Sequence, residues 1–520
     1  MSTTSSSRIQ RGRACVPCHL RKKRCDGEQP SCGGCIRSQI SCEYVPVPLE
    51  PEPMSSIQIR IQTLQSRVEE LEATLSNMTV QAPRPSIQPS KSSPRSCLID
   101  PQSGEVAGWL QDILRPTMIA NRRHYNLYLD IETLRSPPKP LLHAMNLVAS
   151  HILSLSADSD TRPTLQELEE LKSLLLKQVH SGVHTSLECA RDLIAGVVCA
   201  PALAAQYLLQ VGKFTEAHWL ASSAVRFAVS CGLHTIVGHR WNNESGGSSP
   251  GSTTSSGSSS TFLVPASSFR EHYDRCMSWW LAFSADGIVE IVAKLPSALR
   301  PELRACIGDT ESGVGRNRKV TASFPLREDV YEGNTHQLEV PSPTIGELLL
   351  GGHSGIQDYS MGSMFAMRLK SMAFFEATAL LDEDFRAGQS FGPDTRRRID
   401  QSLSRFIETL PGLEYHEPAH ATVPQTNDAP INPNIIVTYM LAYSAKIRLH
   451  SASPETCLDV ALLVGRLASA FGTVPHFGVA PLVVRCCSDA LHVITSVIGI
   501  HDEQPSEADA LRLLLSSLGR

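Results

Sequence analysis

Six cysteines fall between positions 15 and 42, in the stretch CVPCHLRKKRCDGEQPSCGGCIRSQISC, with the spacing C-x2-C-x6-C-x6-C-x2-C-x6-C. Cys15, Cys18, Cys25, Cys32, Cys35 and Cys42 are residues whose type and spacing could do chemistry, and that chemistry is metal ligation. Thiolate is a soft donor that suits Zn2+, which takes four ligands tetrahedrally. One zinc would leave two sulfurs spare. Two zincs need eight ligand positions, which six sulfurs fill only if two of them bridge both metals. The competing reading is a disulfide scaffold in an exported miniprotein, since six is an even number. Residues 1–13 are Ser/Thr-rich with Arg8, Arg11 and Arg13 and lack the apolar stretch of an export signal, which favours the metal.

Between the second and third cysteines runs His19-Leu20-Arg21-Lys22-Lys23-Arg24, four consecutive cations held beside the expected metal site. Such a cluster can neutralise phosphates and release counterions. A free-standing basic run is more often a solvated face or an import signal; the cysteine frame around this one points to nucleic acid instead.

The spacing and the basic run resemble the fungal binuclear zinc-cluster transcription factors, in which two zincs share six cysteines and a short helix enters the DNA major groove. The resemblance implies two Zn2+ per chain, with Cys15 and Cys32 bridging, Cys18 and Cys25 completing one zinc, and Cys35 and Cys42 the other. Pro30 stands where the family carries its loop proline. In the family the third and fourth residues after the second cysteine reach a CGG triplet, which here means Arg21 and Lys22, and a cation donating to guanine O6 and N7 is the commonest base contact. His19, Lys23 and Arg24 are the accompanying DNA-binding candidates. His19 departs from the arginine that most members carry, so a phosphate contact there would be weaker or pH-dependent.

The 520 residues allow two or three domains and at least one large core. The net charge of −5 suits a DNA binder only once it is divided. Residues 1–44 hold eight Lys and Arg against three Asp and Glu, so the head is basic and the remainder carries −10. The other nine of the 15 cysteines are scattered, apart from Cys486-Cys487, as expected of reduced thiols in a nuclear or cytosolic protein. No run of 18 uncharged apolar residues occurs, and no membrane partner is expected.

The expected fold is mainly α: a small N-terminal binuclear zinc cluster, a short parallel coiled coil, then a large all-α regulatory domain. Residues 1–13 read as a disordered basic arm and 14–44 as the zinc-cluster DNA-binding domain. Residues 45–56, with Pro46, Pro48, Pro51 and Pro53, read as a stiff polyproline linker. Over 57–78 the apolar positions recur at alternating steps of four and three: Ile57, Ile61, Leu64, Val68, Leu71, Leu75 and Met78. This heptad, with β-branched Ile61 and Val68 at a and leucines at d, predicts a parallel dimerisation helix. Residues 79–105 are Pro/Ser-rich and read as a disordered linker.

Residues 106–520 are expected to be one all-α middle domain with a flexible insert at 240–265, where ESGGSSPGSTTSSGSSS stands. Periodicity places helices over 141–156, 165–180, 186–211, 213–232, 268–293, 358–387, 393–409, 434–450, 455–472, 478–499 and 506–518, with 306–345 and 411–432 irregular. Ala228 to His234, ending Gly-Leu-His, resembles a motif of the family's middle region. So does Glu271 to Arg275 followed by Trp279-Trp280, Asp286 and Pro296, although Gly287 stands for the usual arginine and Lys294-Leu295 for Gly-Arg. His180 and His184 at i, i+4 lack the intervening Glu of a zincin and read as a helix-surface pair. No nucleophile elbow, phosphate loop or dinucleotide fingerprint is present, so an enzyme is not expected.

The implied function is a sequence-specific transcription factor for RNA polymerase II genes, a nuclear homodimer on paired CGG half-sites. Its further partners would be the transcription machinery or co-regulators and an unidentified small-molecule effector. An RNA-binding or protein-interaction module built on the same cluster is the alternative.

Overall fold

The structure is a computed structural model and describes residues 15, 17–18, 21, 25, 31–38, 40–42, 98–100, 102–155, 163–189, 192–236, 263–264, 266–308, 319–325, 343–351, 363–386, 391, 393–413, 432–471, 480–498 and 506–518. Two units separate along the chain, Met1–Ser93 and Pro94–Arg520. The first contains the cysteine cluster, with a single short helix, α1 (Gly33–Arg37), among its described elements. The expected dimerisation helix 57–78 and the linker 45–56 lie outside the described residues.

The second unit is helical. Its described residues form no strand and contain only two isolated bridges, Ile99 with Val106 and Ser323 with Thr344. Helices α2 (Gly108–Asn121), α3 (Ile131–Arg135), α4 (Lys139–Leu155), α5 (Leu165–Cys189), α6 (Ala200–Gln210) and α7 (Phe214–Ser230) make an N-terminal group in which α4 packs on α2, α5 and α6. Helix α8 (Phe269–Ala293) follows, then the short α9 (Arg300–Ile307) and α10 (Ile345–Leu350). The C-terminal group is α11 (Met364–Arg386), α12 (Pro393–Thr409), α13 (Pro433–Leu449), α14 (Leu458–Phe471), α15 (Ala480–Ile498) and α16 (Ser506–Leu518). One apolar core runs through both groups.

Helix α8 joins the groups, touching α6 and α7 on one side and α11 and α15 on the other. Its start is set by Ser268, whose hydroxyl accepts the Glu271 N–H, while the Glu271 carboxylate accepts from the Ser267 N–H and hydroxyl at 2.7 Å. Buried on all sides, it carries Trp279, Trp280 and Phe283 into the core, and the Trp280 ring stacks on Phe324 at 4.9 Å. Trp280 Nε1 donates to the Ser323 carbonyl at 3.2 Å, so the indole brings no unpaired donor inside. Helices Phe269–Ala293 and Pro481–Ile498 are long and apolar enough to cross a bilayer by length and composition. In α8 that apolarity is spent on the protein's own core, as its burial shows.

Most helices expected from periodicity are found within a few residues of the expected ends. Gly232, at φ 77°, takes the left-handed conformation that stops α7 just before Gly-Leu-His, which glycine adopts without a Cβ penalty. The single helix expected over 186–211 is instead α5 ending at Cys189, a π-helical turn Ile194–Cys199, and α6. Pro201 lacks an N–H for the carbonyl four residues back and its ring crowds that carbonyl, which favours a widened turn just before it. Helix α2 is not among the helices expected from periodicity, and Pro116 stands inside it. In the structure Pro116 is exposed, and Leu110, Leu114 and Met118 form a buried stripe at steps of four. The linker expected to reach residue 105 stops earlier: Ile99 bridges Val106, and Glu105 pairs with Lys139 and His143, both at 3.0 Å.

Candidate metal centre

Local backbone geometry aims the cysteines at one another. Cys32 caps α1 in an extended conformation, and its sulfur accepts the Cys35 N–H at 3.3 Å. The Cys15 sulfur takes a hydrogen bond from the Cys18 backbone N–H in the same way. Residues 15, 18, 25 and 32, 35, 42 therefore repeat with an offset of 17, and each C-x2-C step turns its second N–H onto its first sulfur. The Cys32 N–H in turn donates to Cys42 Sγ at 3.3 Å, drawing the last cysteine in.

The sulfurs of Cys15, Cys18, Cys32 and Cys35 all lie within 4.8 Å of one another. Cys15 sits 3.6 Å from Cys32 and from Cys35, Cys18 sits 3.6 Å from Cys32, and Cys25 sits 3.8 Å from Cys15. Two sulfurs on one tetrahedral zinc, each about 2.3 Å from the metal, are about 3.8 Å apart, so these separations are tetrahedral edges and not bonded S–S pairs. All six cysteines are free thiols, which removes the disulfide reading. Five of them are buried and Cys42 is half-buried. The donor set fits zinc.

Electrostatics divide the sulfurs. The Cys35 N–H at the start of α1 holds Cys32 down at about 6, whereas burial pushes Cys35 up to about 12 and raises Cys15 as well. A buried thiol without a cation costs free energy to ionise. A divalent ion supplies that compensation, and its binding releases the protons.

The expected DNA-facing residues are placed only in part. Arg21 is exposed, on a turn closed by its own N–H donating to the Pro17 carbonyl at 3.2 Å, so the helical turn bearing Cys18 leads directly into the basic run. His19, Lys22, Lys23 and Arg24 lie outside the described residues, as do Ile57, Ile61, Leu64, Val68, Leu71, Leu75 and Met78. His180 stacks on Trp219, with ring centroids 5.7 Å apart, and His184 is exposed, a surface pair on α5.

Comparison with known proteins agrees with this geometry. Residues 13–50 match the family model for the fungal Zn(2)-Cys(6) binuclear cluster domain. The chain is 40% identical over 72 residues to a citrinin biosynthesis transcriptional activator, mrl3, of Monascus ruber, a match covering 14% of each protein. It is 41% identical over 63 residues to an uncharacterized transcriptional regulatory protein of Schizosaccharomyces pombe, 12% of this chain and 8% of that one. It is 51% identical over 51 residues to the transcriptional regulator nsrM of Aspergillus novofumigatus, 10% and 7% of the two chains. The matches thus span about a seventh or less of these relatives. No solved structure matches. The thiol geometry and these similarities agree that the chain carries, over residues 13–50, a fungal Zn(2)-Cys(6) binuclear cluster domain, the zinc-binding head of fungal transcription factors.

Proposed function

We propose that this protein is a sequence-specific DNA-binding regulator of transcription by RNA polymerase II, acting in the nucleus as a homodimer on paired CGG triplets. The observation that carries the reading is the placement of exposed Arg21, the first cation of the basic run, one turn beyond buried Cys18. A free cation binds any polyanion; one held beside a metal cluster, as Arg21 is, presents its donors in a fixed direction. Arg21 and Lys22 read the triplet, and His19, Lys23 and Arg24 engage phosphates.

Cys15 and Cys32 bridge the two zincs in this reading. Both sulfurs are fully buried, lie 3.6 Å apart and take a backbone N–H from the residue three places on, which is the environment a doubly shared thiolate needs. Cys18 and Cys25 complete one zinc, Cys35 and Cys42 the other. The heptad over 57–78 pairs two chains, the proline-rich 45–56 sets the distance between half-sites, and the helical unit meets co-regulators or the transcription machinery.

Selection from random duplexes with the full chain tests the reading. Enrichment of two CGG triplets at a preferred spacing supports it. Recovery of no triplet, or equal competition by single-stranded RNA, would overturn it in favour of an RNA-binding or interaction module.

A further inference from the structure

In the C-terminal group a cavity of about 500 Å3 opens between α11, α13, α15 and the end of α8. That volume lies within the range of small-molecule sites, about 300–1,000 Å3. Its walls carry five Lys or Arg side chains against four carboxylates.

All four carboxylates are ion-paired, two of them to the same arginine. Arg300 pairs with Glu290 at 2.9 Å and with Glu383 at 2.6 Å, Arg386 with Asp382 at 2.7 Å, and Arg485 with Asp489 at 2.9 Å. Two of the five cations take no part in these pairs. Lys294 is exposed at the C-cap of α8 and has no ion pair among the described residues. Arg448 is half-buried on the last turn of α13 and likewise has neither an ion pair nor a side-chain hydrogen bond among the described residues.

What holds Arg448 is Phe375, whose ring centroid lies 4.3 Å from the guanidinium carbon. That contact is to a ring and not to a hydrogen-bond acceptor, and among the described residues no acceptor takes the guanidinium N–H groups. Burial disfavours the Arg448 charge, and Asp489, Glu290 and Asp382 favour it from a distance without forming an ion pair with it; a planar fork with free donors matches a carboxylate or phosphate in two parallel hydrogen bonds. The arginines of the cavity near the start of α8 are different, because Arg270 pairs with Asp130 and Arg275 with Glu271.

We propose that this cavity is a binding site for a small organic anion, whose carboxylate or phosphate docks on the free edge of Arg448 with Lys294 as a second cation. The apolar part of the ligand rests on Ala379, Ile447 and Val493. The site belongs to the helical unit and names a place and a chemical class for the effector, whether or not the cluster reads CGG.

Titration calorimetry on the zinc-loaded full chain tests this without DNA, using sodium benzoate and sodium phosphate as separate probes at matched chloride ionic strength. The wild type should bind at least one probe, and Arg448→Met should weaken it tenfold or more. Binding of benzoate alone assigns a carboxylate ligand, of phosphate alone a phosphate ester, and of both a site for the shared anionic group. Arg448→Lys keeps the charge but loses the fork, and Lys294→Asn alters an exposed residue at a left-handed position that asparagine tolerates. Should Arg448→Met not fold, at least one of these two must weaken binding about threefold or more. Absence of binding by the wild type, or wild-type affinity in the variants, would overturn the assignment.

Discussion

Lys22 and Lys23 are neighbours in the sequence with different proposed tasks. Lys22→Ala should lose about 1–3 kcal/mol on the cognate site and relax triplet preference, whereas Lys23→Ala should weaken cognate and random duplexes alike. Quantitative mobility shifts on both duplexes separate the two; equal losses everywhere would mean that the base-reading face is misassigned. A second residue-scale effect sits in the helical core. Glu376 is buried with neither carboxylate oxygen partnered among the described residues, and its Oε1 would lie only 2.2 Å from a Cβ at position 287. The side chain occupies the space left by Gly287. Burial first, then the Glu290 and Asp286 charges, raises its carboxyl well above the ordinary 4.5, with Arg300 opposing. The unfolded chain therefore releases a proton above pH 4.5 that the folded chain keeps, and stability is lost as pH rises. Glu376→Met should remove that penalty, raising the melting temperature at pH 8 by an amount that shrinks toward pH 5, with a gain of about 1–3 kcal/mol at the upper end. A difference independent of pH would show that Glu376 is ionised in the fold.

Elements in this protein meet at positions where a single methyl decides the fit. Gly465 lies in α14 against α16, and a Cβ there would be 2.6 Å from Glu507 Cβ and 3.0 Å from the Glu507 carbonyl. Helix propensity favours alanine by about 1 kcal/mol, but backbone this close cannot step aside cheaply. Gly465→Ala should thus destabilise the C-terminal group by about 1–3 kcal/mol, visible as a lower denaturant midpoint; a stabilised variant would show that α16 shifts freely. The heptad over 57–78 makes a separate element-scale prediction. Proline within it would remove a backbone hydrogen bond and break the proposed helix. Leu64→Pro should leave binding to a single triplet intact while lowering affinity for the paired site at least tenfold, and unchanged paired-site binding would place the dimer contact elsewhere.

Across the whole molecule, the two units rest on different sources of stability. The described core of the first unit consists of cysteines alone, with Cys42 packed at its edge. Thiolate–metal bonds must then supply its folding free energy, on the scale of about 10–16 kcal/mol for structural zinc peptides. The second unit has an apolar core continuous from Val106 to Leu514. Chelation of the full chain should abolish DNA binding and release close to two zincs per chain while leaving far-UV helicity and the main thermal transition nearly unchanged. Loss of the helical transition on chelation would contradict that separation.

The metal site was legible in the sequence because its ligands lie within 28 residues and their spacing alone directs each N–H onto a sulfur; the free thiols and tetrahedral edges followed from Cys15 to Cys42 as written. Helical period was legible for a similar local reason, since an apolar stripe at steps of three and four declares which face is buried. It failed where local rules mislead, at Pro116 and ahead of Pro201, because exposure of one ring and the widening of one turn depend on what packs alongside. The cavity was decided by tertiary structure alone. Arg300 finds Glu383 from 83 positions away, and Arg368 is held by Asn126 from 242 away. Which arginine remains unpaired after such pairings is a property of the packed arrangement. Arg485 has Asp489 four positions on in its own helix, a pair the sequence shows, whereas the Phe375 ring that meets Arg448 is brought from another helix by the packing.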